Sequence, residues 1–324
     1  MPDSTRDQLL RRLRDGQWLS GEQLAQELGL TRAAVAKQVA VLKQQGYLIE
    51  AAPRRGYRLQ SLPDSLLPAE IRAGLVTARF GQGLISYLES TASTNQDARE
   101  LAEQGAAEGS LVVAEQQTAG RGRRGRSWYS APGVGVYLSL ILRPALAASE
   151  VARLTITAAV AACEALRELS GLDVRIKWPN DLLVGQRKLG GILTEVSMDQ
   201  ESVSYAVVGL GLNVATGDFP PELAAIATSL RLASGRELRR AAVVRGVLER
   251  FERRYDELLN EGFAGILAEF KALSNVIGRE VEVTIAGEGL RGLARDIDAD
   301  GFLLLELGGG GVKRVLAGDI RPLD

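Results

Sequence analysis

The chain has no histidine. That absence excludes Ser-His-Asp catalysis, histidine-ligated zinc and histidine general acids. Any chemistry falls to lysine, arginine, carboxylates, asparagine, backbone amides or a bound metal. There is one cysteine, Cys163, in an alanine-rich helical stretch. No disulfide can form within the chain, which fits a reducing compartment, and Cys163 itself reads as a small buried apolar residue. No apolar run approaches the roughly 18 residues of a membrane span. The start, Met1-Pro2-Asp3-Ser4, lacks a basic stretch leading into an apolar core, so the expectation is a cytoplasmic protein with no secretory signal. The common nucleotide signatures are missing too. G-x-x-x-x-G-K-[ST] does not occur, and Gly209-Leu210-Gly211 runs into Leu212-Asn213-Val214 instead of completing G-x-G-x-x-G.

What is present is unevenly charged. Residues 1–62 hold ten Lys/Arg and six Asp/Glu, a net +4, whereas the other residues hold 29 and 34, a net −5. A basic head on an acidic body suggests a separate role for the head. Three short helices are expected there: residues 4–15, capped by Ser4 or Thr5; a second helix capped by Ser20 and stopped by Gly29; and a third from Arg32 to about Gln45, capped by Thr31. The hairpin Tyr47–Leu59 follows, with Arg54 and Arg55 at its tip. A helix-turn-helix with a basic wing would bind DNA, with Thr31, Arg32, Lys37 and Gln38 on the third helix and Arg54 and Arg55 on phosphate. The alternative is a three-helix protein-interaction module.

After a linker at 61–65, strands at 84–88 and 112–117, a third at Val136–Leu142, a helix from about Ser149 to Leu169, the alternating stretch Asp173–Trp178, a hairpin at 182–195 and a strand at 205–214 imply an α+β domain. Its mixed sheet would carry helices on one side. Helical spacing resumes over 238–273. From Val281 short strands with Gly-rich turns read as a small β-barrel. The expected domains are thus 1–62, 63–273 and 274–324.

Two stretches stand out. Gly120-Arg121-Gly122-Arg123-Arg124-Gly125-Arg126-Ser127-Trp128 places four arginines and three glycines between core strands. It reads as an anion-binding lid, an RG-type RNA-binding segment or a solvated basic loop; its position inside a domain, ending on a tryptophan, favours the lid. Ser93-Thr94-Asn95 opens a helix, where it is either a cap or an anion or carbonyl site. Lys177, Asn180, Asp181 and Lys188 gather around one turn and hairpin, with Lys188 beside Gly190-Gly191, which would permit close ligand approach.

Together with Lys177-Trp178-Pro179-Asn180-Asp181, Lys188-Leu189-Gly190-Gly191-Ile192-Leu193 and Gly209-Leu210-Gly211-Leu212-Asn213, these motifs resemble the biotin–protein ligase family over essentially the whole chain. The basic head resembles its bifunctional ligase/repressor subtype. The resemblance implies a winged helix-turn-helix, a class II synthetase-like ligase domain and an SH3-like β-barrel. It implies an enzyme that forms biotinyl-5′-AMP from biotin and ATP with Mg²⁺ and transfers biotin to a lysine of the biotin carboxyl carrier protein. It also implies a homodimer, when loaded with biotinyl-AMP, that binds operator DNA of biotin-synthesis genes. Ser93, Thr94, Asn95, Gln117, Arg121, Gly122, Arg123 and Lys188 would hold biotin. Arg121, Arg123, Arg126, Trp128, Asn180, Lys188 and Asn213 would hold the nucleotide. Lys188, Arg123 and Asp181 would carry the chemistry. No metal is expected on protein ligands alone, with Mg²⁺ on ATP and near Asp181. The last residues do not match the family's basic C-terminal contact, so nucleotide contacts there stay unassigned. Rivals are a lipoate-type ligase and a non-enzymatic, ligand-sensing repressor.

Overall fold

A computed structural model describes residues 5–200, 202–285 and 288–323. The chain forms two compact units, Met1–Ser65 and Leu66–Asp324. The smaller contains helices α1 (Thr5–Leu13), α2 (Gly21–Leu28) and α3 (Arg32–Gln44) and the hairpin β1 (Leu48–Ala52) and β2 (Gly56–Ser61). Leu9, Leu10, Leu13, Leu24, Val35, Val39 and Leu42 supply its core. Ser20 and Thr31 cap α2 and α3 by accepting from Gln23 and Ala34 N–H at 3.0 and 3.2 Å. A cap by Ser4 lies outside the described residues. Leu19 bridges to Tyr57, and Gly56, at φ 95°, lies so close to this pair that a Cβ there would overlap the Leu19 carbonyl. The wing is therefore fastened to the turn between α1 and α2.

The larger unit begins with α4 (Pro68–Arg72), β3 (Ile85–Leu88), α5 (Thr94–Glu103), β4 (Leu111–Ala114), β5 (Gly135–Leu142) and α6 (Val151–Ser170). Strands β6 (Val174–Lys177), β7 (Asp181–Val184), β8 (Arg187–Asp199) and β9 (Ser202–Asn213) come next, then helices α7 (Pro221–Ala224), α8 (Leu230–Ser234), α9 (Arg240–Asn260) and α10 (Ala264–Leu273). The seven strands pair in the order β3-β4-β5-β9-β8-β7-β6. Only β3 and β4 are parallel, joined by the α5 crossover, as a parallel pair requires. Helices cover both faces, not one. Val112, Ile141, Tyr205 and Val207 pack on Ala98 and Ala102 of α5, while their neighbours Leu111, Val113, Leu140, Leu142, Ala206 and Val208 join the core with α6 and α9. This is why β5 is buried at every position. Cys163 is fully buried in α6; its thiol donates to Val174 O at 3.2 Å, and burial pushes its pKa up to about 12.

The helical region 238–273 is two helices, broken near Gly262 at φ 93°. Helices α7 and α8 are additions to the sequence reading. The C-terminal part is an antiparallel five-stranded sheet in the order β13-β12-β11-β10-β14: β10 (Glu280–Ile285), β11 (Glu288–Ile297), β12 (Leu303–Leu307), β13 (Val312–Val315) and β14 (Asp319–Pro322). Strand β14, absent from the sequence reading, pairs with β10. Among the described residues no helix is long and apolar enough to cross a membrane.

Candidate functional site

The pocket lies on the α5 face of the large sheet and is built from cross-strand rows. Ser139 of β5 faces Gly209 of β9, which faces Leu193 of β8. In the next row Tyr137 faces Gly211, Gly211 faces Gly191 and Gly191 faces Asp181. Gly191, Gly209 and Gly211 of these rows line the pocket and make a floor on which other groups can lie. A Cβ on Gly209 would overlap Asn95 Oδ1, and one on Gly211 would meet the Trp128 ring at 2.6 Å. The Gly209-Leu210-Gly211 pattern that failed as a nucleotide fingerprint thus supplies two of these three floor glycines.

One end of the pocket is neutral and polar. Ser93, at the N-terminus of α5, makes no capping hydrogen bond, so the capping alternative is not realised. Gln117 Oε1 accepts from Thr94 N–H at 3.0 Å and from Thr94 Oγ1 at 3.1 Å, and Gln117 Nε2 donates to Ser130 Oγ at 3.0 Å. Ser139 is fully buried; its hydroxyl lies 2.9 Å from Thr94 Oγ1 and 2.7 Å from Asn95 Oδ1. Asn95 Nδ2 donates to Leu193 O at 3.3 Å and Glu195 Oε2 at 2.7 Å. Asn95 is therefore committed to the protein, while Gln117 retains a second N–H donor for a ligand.

The other end is cationic. The loop after β4 folds into a short hairpin: Trp128 N–H donates to Gly120 O at 2.8 Å and Gly122 N–H to Arg126 O at 2.7 Å, and Arg124 and Gly125 turn it at φ 58° and 74°. Arg121, Gly122, Arg123, Arg126 and Trp128 all line the pocket. Arg123 donates to Asn180 Oδ1 at 3.2 Å, and burial, followed by the like charge of Arg124, pushes its pKa down. Asn180 is itself fixed by donating to Ile192 O at 2.6 Å. Lys188 Nζ lies 2.6 Å from Asp181 Oδ1 and 5.4 Å from the centre of the Trp128 ring. The β7–β8 register shifts beside Leu189, between Leu182 and Leu183. Such a bulge re-aims a side chain, so that Lys188 Nζ comes 3.5 Å from where a Cβ on Gly191 would stand. Lys177 Nζ holds the other oxygen of Asp181 at 3.2 Å. Trp128 Nε1 is buried with no acceptor among the described residues.

All but one of the expected ligand residues line this pocket. The exception is Asn213, which is buried outside the lining and donates to Thr228 O at 3.0 Å; Thr228 N–H in turn donates to Lys188 O at 2.9 Å. Sequence reasoning missed Ser139, Ser130 and Glu195, and it left Asp319 unassigned. Asp319 lies on the rim, 2.5 Å from Arg126 and 3.5 Å from Arg124. The pocket lining as a whole carries four cationic side chains and two carboxylates, a balance that suits an anion.

In the smaller unit Arg32, Ala33 and Ala36 of α3 face Ala51 to Arg54 of the wing across a groove. Thr31, Arg32, Lys37, Arg54 and Arg55 are exposed. Thr31 Oγ1 is spent as the cap, and Gln38 accepts from Arg6 Nε at 3.2 Å, so both offer less to DNA than Arg32 or Lys37. Arg55 stacks over Trp18, 4.3 Å from the ring centre, with Arg58 at 5.1 Å.

Three segments of the chain match known family models. Residues 5–58 match an HTH domain, 87–213 the biotin/lipoate A/B protein ligase family and 276–321 the biotin protein ligase C terminal domain. The bifunctional ligase/repressor BirA of Bacillus subtilis is 42% identical over 306 residues, 94% of each chain. The Escherichia coli protein of the same name is 32% identical over 301 residues, 93% of this chain and 92% of its own. The biotin protein ligase of Aquifex aeolicus, solved with biotin and ATP, superposes with a TM-score of 0.66 at 27% identity, covering 74% of this chain and 99% of that one.

Proposed function

This chain belongs to the biotin–protein ligase family, in its bifunctional ligase/repressor branch, and from that membership we propose that it activates biotin with Mg-ATP and transfers it to a lysine of the biotin carboxyl carrier protein of acetyl-CoA carboxylase. The observation that carries this reading is the two-ended pocket. Biotin has a neutral cyclic urea at one end and a carboxylate at the other. Gln117 and Thr94 suit the first, and Arg121, Arg123 and Lys188 suit the second and the phosphate it attacks.

In the first step a biotin carboxylate oxygen attacks the α-phosphorus of ATP, and pyrophosphate leaves. Lys188 and Arg123 offset the charge that builds on the phosphoryl oxygens, while Asp181 and Trp128 fix where Lys188 points. Arg126 and Asn180 serve the nucleotide side. In the second step the acceptor amine attacks the anhydride carbonyl beside Asp181, and AMP leaves. The hairpin loop excludes water from the anhydride. Asn213 supports the Thr228 segment that holds Lys188 in place. Mg²⁺ prefers phosphate oxygens and water. Both Asp181 oxygens already face lysines, which suits an ion that enters bound to ATP.

The smaller unit binds operator DNA as part of a homodimer loaded with biotinyl-AMP, and the protein works in the cytoplasm. The functional domains are 1–62, 63–273 and 274–324. A lipoate-type role would leave the urea-matching end unmet. The deciding experiment is pyrophosphate release with Mg-ATP and biotin or lipoate, followed by labelling of a carrier domain. Release with lipoate alone overturns the substrate, and failure to label any acceptor lysine favours the non-enzymatic repressor.

A specific outcome is expected for Gly209→Ala. The new methyl overlaps Asn95 Oδ1, and Asn95 is held at both ends of its amide. Overpacking of about 1–3 kcal/mol corresponds to KM for biotin rising about 5- to 150-fold, with KM for ATP little changed. Steady-state kinetics with each substrate varied in turn check this.

A further inference from the structure

Glu195 of β8 stands behind the neutral end of the pocket, in neither of the roles described above. One carboxylate oxygen accepts from Asn95 Nδ2 at 2.7 Å; the other lies 3.8 Å from Arg99. An ionised carboxylate can only accept. It therefore turns the Asn95 amide so that Oδ1 faces Ser139, 2.7 Å away. Ser139 has a single hydroxyl proton and spends it on that oxygen. It then has none for Thr94 Oγ1, 2.9 Å away. Thr94 keeps its own proton for Ser139 or Gln117 Oε1 and then receives none from the described residues, so its oxygen stays open to accept a ligand N–H. Beside it Gln117, oriented by Thr94 N–H and Ser130, presents a donor. Acceptor next to donor is the complement of a urea, N–H next to C=O. With Asn95 reversed, Ser139 would donate to Thr94 and the acceptor would be consumed.

We infer that Glu195 is a positioning residue for biotin: through Asn95 and Ser139 it sets the donor–acceptor polarity of the wall that reads the urea. This rests on the biotin reading above. Leu193 O also accepts from Asn95 Nδ2, at 3.3 Å, but it is the longer and uncharged partner, and charge-assisted bonds are the stronger.

The test compares substitutions of similar length in the full chain, measuring biotin affinity by calorimetry and KM for biotin and ATP separately. Glu195→Gln keeps an acceptor and should bind biotin within about threefold of wild type. Glu195→Met removes it and should weaken biotin about tenfold, the scale of a hydrogen bond to a charged group. Glu195→Lys presents donors, reverses Asn95 and should weaken biotin at least about threefold beyond Met, with KM for ATP unchanged throughout. Arg99→Ala, which removes only the outer ion pair, should leave biotin affinity unaltered. A merely structural role makes Met and Lys equivalent and gives Gln no advantage; that pattern, or equal shifts in both KM values, overturns the inference. Wild-type protein that binds no biotin overturns the underlying ligand reading instead.

Discussion

Replacing Lys188 by alanine is expected to slow adenylate formation about 10²- to 10³-fold, the usual cost of losing one preorganised stabiliser of developing charge. The size follows from how thoroughly the chain fixes this ammonium. Asp181 holds it at 2.6 Å and the Trp128 ring lies beneath it at 5.4 Å. Its backbone is strapped on both sides, by Lys188 N–H to Ile226 O at 2.8 Å and Thr228 N–H to Lys188 O at 2.9 Å. Removing it does not orphan Asp181, which keeps Lys177 at 3.2 Å, so the fold should survive and the loss should be chemical. Arginine is a poor replacement, because its wider planar fork does not fit between the carboxylate and the indole as a compact ammonium does. The measurement is single-turnover pyrophosphate release at saturating biotin and Mg-ATP, with folding verified by thermal unfolding. Transfer from preformed biotinyl-AMP should fall much less, because the phosphoryl charge is already settled in that species. Near wild-type pyrophosphate release removes Lys188 from the first step.

The parts of the site legible in the sequence are those whose chemistry is compressed into contiguous motifs. Arginine and glycine at 120–128, the Lys177–Asp181 turn and the Ser93–Asn95 helix start each advertise themselves locally, and all three meet in one pocket. The basic head was legible for the same reason: caps, stops and helical spacing are local signals. What escaped depends on pairing between distant segments. Ser139 sits in the apolar run Val136–Leu142 and looks like a tolerated hydroxyl; only its register opposite Gly209 brings it to Asn95 and Thr94. Glu195 reaches Asn95 across 100 residues, and Asp319 reaches Arg126 across 193. Asn213 was singled out by its place in a motif; the structure sets it outside the pocket lining, with its amide nitrogen donating to Thr228 O. Covered faces were misjudged as well, since β5 is apolar at nearly every position and periodicity alone cannot assign helices to one side or both.

Deleting residues 1–62 is expected to abolish sequence-specific DNA binding while the remaining chain still forms biotinyl-AMP. The cut respects the packing. The smaller unit has its own core of Leu9, Leu10, Leu13, Leu24, Val35, Val39 and Leu42, and it ends at Ser65. Leu66, fully buried in the larger unit and donating to Glu115 Oε1 at 3.0 Å, is retained behind a three-residue stub. Specific binding exceeds non-specific binding by about 10³-fold or more, and both terms are expected to reside in the exposed cations of α3 and the wing, so affinity for an operator fragment should drop below detection. A finer version separates the two terms. Arg54→Ala, at the exposed wing tip, should weaken all sequences alike and lower the salt dependence by about one counterion. Arg32→Ala, at the start of α3, should narrow the gap between operator and random DNA. Gel-shift titrations across a salt series, run with and without biotin and ATP, distinguish these outcomes. Persistent operator binding by the truncated chain would relocate the DNA site to the larger unit, whereas loss of adenylate formation together with DNA binding would mean that the head also supports the pocket.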